Sequence, residues 1–165
     1  MPRIYKTIRL AYETKYWLDQ LIDRRTEQLK KSIRENKLQD RIEEQLLQMN
    51  IEELDGVSVN VSLNVTVGSV IEQVVRYSRN LTVEQWNALA GEVESAKRRI
   101  EDTSQNDVTP RIYLDQEIFR ELEDLQTFLR QEGERVPRIS FLIKLAAYNL
   151  YKNSSSIQSK AIKKE

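Results

Sequence analysis

The chain has 165 residues, 39% hydrophobic and 32% charged, with 26 Lys/Arg balanced by 26 Asp/Glu. That length closes one domain or two small ones, and the composition is that of a helix-rich protein with solvated faces. Cysteine and histidine are both absent, which excludes disulfides, thiol nucleophiles, Cys/His zinc centres and imidazole acid–base chemistry. No apolar run approaches the length of a membrane span, so no membrane partner and a cytoplasmic location are expected.

The overall neutrality hides an uneven distribution. Residues 1–40 carry ten Lys/Arg against six Asp/Glu, and residues 41–75 carry one arginine, Arg41, against six acids. A basic N-terminal region on a neutral chain is compatible with a nucleic-acid partner without announcing one.

In chain order, residues 6–12 alternate: Ile8 and Leu10 fall on one side of a strand, and Thr7, Arg9 and Ala11 on the other. Helical spacing follows in Tyr16, Trp17, Leu18, Leu21 and Ile22, then more loosely in Leu29, Ile33, Leu38, Ile42 and Leu46. This predicts one long helix, or two broken near Asn36, reaching about Asn50. Asp55-Gly56 is a turn signal. From Val57 to Val67 a strict two-residue period of Val/Leu against Ser/Asn/Thr predicts a further strand. A short helix carries Val70, Ile71, Val74 and Val75. Thr82 with Gln85 forms a capping box that opens a helix over residues 83–101. Residues 102–109 read as a polar linker. Beyond it, a short strand over 111–115 places Ile112 and Leu114 on one side, and Asp115 caps a helix bearing Ile118, Phe119, Leu122 and Leu125. Gly133 suits that helix's stop. Ser140 reads as the cap of a last helix with Phe141, Leu142 and Leu145, and residues 153–165 as a disordered tail.

Pro-Arg-Ile-Tyr occurs twice, at residues 2–5 and 110–113. Aligning the chain on this echo, an offset of 108, sets Leu18 over Gln126 and Ile22 over Arg130. An offset of 104 instead matches Thr7-Ile8-Arg9-Leu10 with Arg111-Ile112-Tyr113-Leu114, Leu18 with Leu122 and Leu21 with Leu125. On that reading the echo is a near-miss and the repeat is strand-then-helix. The closing helices match at an offset of 72, Val70-Ile71 over Leu142-Ile143, so the first copy carries an insertion at about residues 30–64.

A unit of one short strand and two helices, built on these residues, resembles the ribbon-helix-helix family of DNA-binding proteins. The second copy, residues 110–152, fits over its full length; the first, residues 1–101, fits at its strand and both helices but carries the insertion and the trailing helix 83–101. The resemblance implies a mainly α protein with short β-ribbons, an α+β chain of tandem units with an inserted long helix and an extra strand. The two strands would pair either within the chain or between chains. It also implies double-stranded DNA as partner, with Thr7, Arg9, Arg111 and Tyr113 reading bases in the major groove. Arg3, Lys6, Gly68, Ser69 and Ser140 would contact phosphates. Residues 30–65 offer a surface for a protein partner.

The function expected is sequence-specific DNA binding by a homo-oligomer, as a transcriptional regulator such as a repressor, or as a relaxosome or plasmid accessory protein of a mobile element. The alternative is a non-catalytic oligomeric scaffold. No nucleophile–base pair, Gly-rich phosphate loop or metal-ligand spacing is present in the sequence, so neither an enzymatic activity nor a cofactor is expected.

Overall fold

The computed structural model describes residues 2–101 and 106–162, with side chains through residue 155. The protein is mainly helical, with one small antiparallel sheet of two strands. The strands are β1 (Arg3–Thr7) and β2 (Arg111–Asp115), paired with Tyr5 directly opposite Tyr113, Arg3 opposite Asp115 and Thr7 opposite Arg111.

This register explains the repeated tetrad and corrects the near-miss reading. With Tyr5 facing Tyr113, a local two-fold axis relates Arg3-Ile4-Tyr5 to Arg111-Ile112-Tyr113, so the offset of 108 is the symmetry of the ribbon. The two prolines mark its ends. Pro110 stands opposite Ile8, accepts a bond from the Ile8 amide at 3.2 Å and has no N–H to return. Pro2 accepts from Gln116 at 3.1 Å and is equally unable to donate. Pairing therefore stops at Thr7, and the first strand occupies residues 3–7 instead of the expected 6–12. Only an isolated bridge between Leu10 and Val108 lies beyond.

The offset of 104 is also real, in the helices. Residues 8–11 separate β1 from α1 (Tyr12–Asn36), whereas β2 runs directly into α5 (Gln116–Phe128). Those four connector residues are the difference between the two offsets. Leu18 on α1 and Leu122 on α5 are both 1% exposed.

The remaining helices are α2 (Leu38–Gln48), α3 (Val67–Ser78), α4 (Val83–Arg98) and α6 (Ile139–Ile162), with a short 3-10 turn at Glu52–Leu54. The break near Asn36 is made by Lys37, whose φ of 49° places it in the left-handed region between α1 and α2. Helices α3 and α6 begin at positions related by the expected offset of 72. Asp115 caps α5 through Oδ1, which accepts from the Glu117 amide at 2.8 Å, and the Thr82/Gln85 capping box opens α4.

The chain divides into two compact units, residues 1–21 with 67–165 and residues 22–66. The core of the first is built on α3 and α6, which pack together. Val70, Ile71, Val74, Leu142, Ile143, Leu145, Ala146 and Ala147 are all buried. Ile112 and Leu114 close it from the inner face of the ribbon, and Trp17, Trp86, Leu89 and Ile118 complete it. Each such large side chain contributes about 1.5–3 kcal/mol by leaving water. Burial on nearly every side of residues 142–149 makes α6 the central helix.

In the second unit no residue belongs to the buried core. It contains the distal part of α1, α2, the 3-10 turn and residues 57–66. The alternation over 57–67 does not form a strand: no described strand pairs with it, and α3 begins at Val67. It survives as a two-residue burial period, with Val59, Val61, Leu63 and Val65 half-buried and Ser58, Asn60, Ser62 and Asn64 exposed, as extended backbone requires.

Three local expectations also change. Helix α5 ends at Phe128, so Gly133, at φ 81°, serves a later turn and not the helix stop. Helix α6 begins at Ile139, one residue before the proposed Ser140 cap. It continues to Ile162 through the expected tail: no Gly or Pro interrupts residues 153–162, and the Ser155 hydroxyl bonds back to the Tyr151 carbonyl at 3.0 Å. Of the linker, residues 102–105 lie outside the described residues, while Asp107 and Val108 are part of the packed structure.

Candidate nucleic-acid interface

Alternation along each strand decides which side chains face out. Ile4 and Lys6 on β1 and Ile112 and Leu114 on β2 turn toward the helices, leaving Arg3, Tyr5, Thr7, Arg111 and Tyr113 exposed on the outer face. The tyrosine rings lie 4.7 Å apart at the centre, where the pairing sets them side by side. The arginines cross over them in matching fashion: the Arg111 guanidinium lies 4.2 Å from the centroid of Tyr5, and that of Arg3 lies 5.5 Å from Tyr113. The result is a four-residue patch of two tilted rings and two cations, with hydrogen-bond donors on both guanidinium groups.

The two arginines differ in what holds them. Arg3 reaches the buried carboxylate of Glu72 on α3 at 3.0 Å, and Glu72 also accepts the Asp115 amide at 2.9 Å. Glu72 therefore joins α3 to both strands. Arg111 has no carboxylate partner among the described residues, so its guanidinium donors are the more available ones. At the ends of the face, Thr7 stands where the two-fold axis would set Asp115, and Asp115 is spent on capping α5.

The proposed base readers Thr7, Arg111 and Tyr113 thus share one surface. Arg9 does not share it. It has the outward parity but lies past the end of the ribbon, and it is bound to Asp107 at 3.1 Å. Asp107 also accepts the Tyr12 amide at 3.0 Å, satisfying the start of α1. Arg9 instead lines an open recess of about 330 Å³ with Arg138, Ser140 and Lys144 at the beginning of α6. Lys144 is held at 2.8 Å by the buried Glu13.

Among the proposed phosphate contacts, Ser140 lines this recess in the first turn of α6, where the Phe141 and Leu142 amides already donate to the Arg138 carbonyl at 3.0 and 3.1 Å. Lys6 faces inward, half-buried, with its ammonium 4.4 Å from the Phe119 ring centroid; strand parity gives it to the core side. Gly68 is buried against the ribbon, and a Cβ there would overlap the Tyr113 carbonyl oxygen. Its missing side chain lets α3 approach β2. Ser69, the next residue, is half-buried in the first turn of α3. Arg3 belongs to the outer face of the ribbon itself.

Tyr5 is the member of the patch that sequence reasoning passed over. Its signal was present in the repeated tetrad, whose tyrosines are the paired residues at the centre. Asp107 carried no signal, because its partners Arg9 and Tyr12 are remote in sequence.

Among the described residues no group of His, Cys, Asp and Glu is arranged to hold a metal ion, and no helix is long and apolar enough to cross a membrane. Compared with known proteins, the chain matches no family model, no curated sequence and no solved structure.

Proposed function

We propose that this chain is a non-catalytic, sequence-specific double-stranded DNA-binding protein, composed of two ribbon-helix-helix units that form one ribbon within a single chain. The observation that carries this reading is the β1–β2 pairing, in which two remote segments make an antiparallel ribbon with Arg3, Tyr5, Thr7, Arg111 and Tyr113 on its exposed face. A two-stranded ribbon fits the major groove of B-DNA, where an arginine donates two bonds to a guanine edge. Arg111 is the principal base reader, Thr7 reads a neighbouring base or thymine methyl, and the tyrosines set the guanidinium planes. Arg9, Arg138 and the Ser140 hydroxyl hold the phosphate backbone beside the groove. A role in transcriptional regulation or in DNA processing by a mobile element follows from family analogy alone.

Binding selected from a random duplex pool tests the proposal. Arg111→Ala is expected to remove about 1–3 kcal/mol of discrimination between the selected and a scrambled duplex. Arg138→Ala weakens both complexes alike and flattens the salt dependence. Equal, salt-insensitive binding of all duplexes, or selectivity untouched by Arg111→Ala, removes the proposal. A second reading, an oligomeric scaffold, is favoured by the coreless unit 22–66 and predicts no duplex binding at any salt concentration.

A further inference from the structure

Residues 57–66 form an extended segment that nothing in the described protein completes. The two backbone edges of such a segment are separate, because a residue's N–H and C=O point the same way and successive residues point oppositely. One edge is engaged at Val61: its amide donates to Glu43 on α2 at 3.2 Å, and its carbonyl accepts from the Gln39 side chain. On the other edge, the amides and carbonyls of Ser58, Asn60, Ser62 and Asn64 have no partner among the described residues. Residues 58–66 also contain no charge and no proline, the devices by which proteins protect an open edge.

We propose that this edge pairs with the same edge of a second copy of the chain, antiparallel and centred on Val61. Only a centre on one residue type keeps both faces matched. With Val61 opposite Val61, Val59 meets Leu63 on the apolar face, and Asn60 meets Ser62 on the polar face as the hydrogen-bonded pair. The open edge supplies those bonds, and the Glu43 and Gln39 bonds to Val61 remain intact. The surrounding charge is also self-complementary. Residues 22–37 carry six cations against three acids, and residues 38–66 carry one cation against six acids, so a two-fold arrangement can set each region against its opposite. A 45-residue unit without a core is of the size that association commonly completes.

The full-length chain of 19.5 kDa is expected to sediment at twice that mass at micromolar concentration. Asn60→Pro with Ser62→Pro removes two donors from the open edge while sparing Val61, and is expected to yield a monomer of unchanged helix content. Because the chain has no cysteine, Val61→Cys offers a second measurement. A non-hydrogen-bonded antiparallel pair holds its Cα atoms about 4.5 Å apart, within disulfide reach. This variant is therefore expected to cross-link on mild oxidation, whereas Ser58→Cys, opposite Asn64, does not. A wild-type monomer, a dimer indifferent to the two prolines, or Ser58→Cys cross-linking as readily as Val61→Cys overturns the proposal. None of these outcomes depends on DNA binding.

Discussion

Gly68 shows how a single atom sets the ribbon on the helices. The absent Cβ is what allows α3 to lie against the Tyr113 carbonyl, and backbone oxygen cannot yield as a flexible side chain would. Gly68→Ala is expected to destabilise the protein by about 1–3 kcal/mol, despite the better helix propensity of alanine. Urea titration followed by circular dichroism measures it, and a stabilised variant contradicts the packing. The position illustrates what a sequence hides. A glycine at a helix start suggests a phosphate site when read locally, whereas its real neighbour is a carbonyl on β2, remote in the chain. Glu72 and Asp107 are similar: each is one acid among 26 until the fold brings Arg3, Asp115 or Arg9 to it. The apolar positions were easier. Ile112, Leu114, Leu122, Ile71 and Leu142 announce their burial by period alone, and all are buried.

Among elements, β2 was legible over its full span, 111–115, whereas β1 was legible in type and misplaced, at 3–7 instead of 6–12. The helical stripes align at 104 and the strands at 108, and a single offset fitted to the stronger helical signal hides the four-residue connector 8–11. The prolines would have corrected it, since neither can donate within a ladder. The 57–67 alternation was legible as extended backbone, but alternation says nothing of who supplies the neighbouring strand. The α1–α2 junction makes a sharper prediction. Lys37 holds a left-handed conformation, at φ 49°, which costs a non-glycine residue roughly 1–2 kcal/mol. Lys37→Gly is expected to stabilise the junction by a few tenths to about 1 kcal/mol, after the extra freedom of glycine in the unfolded chain is counted. Slower amide exchange in α2 is the measurement; faster exchange would show that the lysine side chain contributes more than its backbone costs.

Across the molecule, the division of buried side chains predicts a division of stability. Residues 22–66 hold none of the core, and α3 and α6 hold its centre. In a sample dilute enough to be monomeric, amides of α2 are expected to exchange through local opening well before those of α3 and residues 142–149, which should follow global unfolding. Uniform protection along the chain would contradict this.

The ribbon joins β1 to β2 across residues 8–110 of the same polypeptide, so closing it costs loop entropy and no translational freedom. Dilution then has no hold on it: in the Asn60→Pro, Ser62→Pro chain, melting of the residues around Tyr5 and Tyr113 should occur at the same temperature at nanomolar as at micromolar protein. A single covalent thread makes this paired surface a permanent property of each molecule, ready at the few copies per cell at which separate subunits would drift apart.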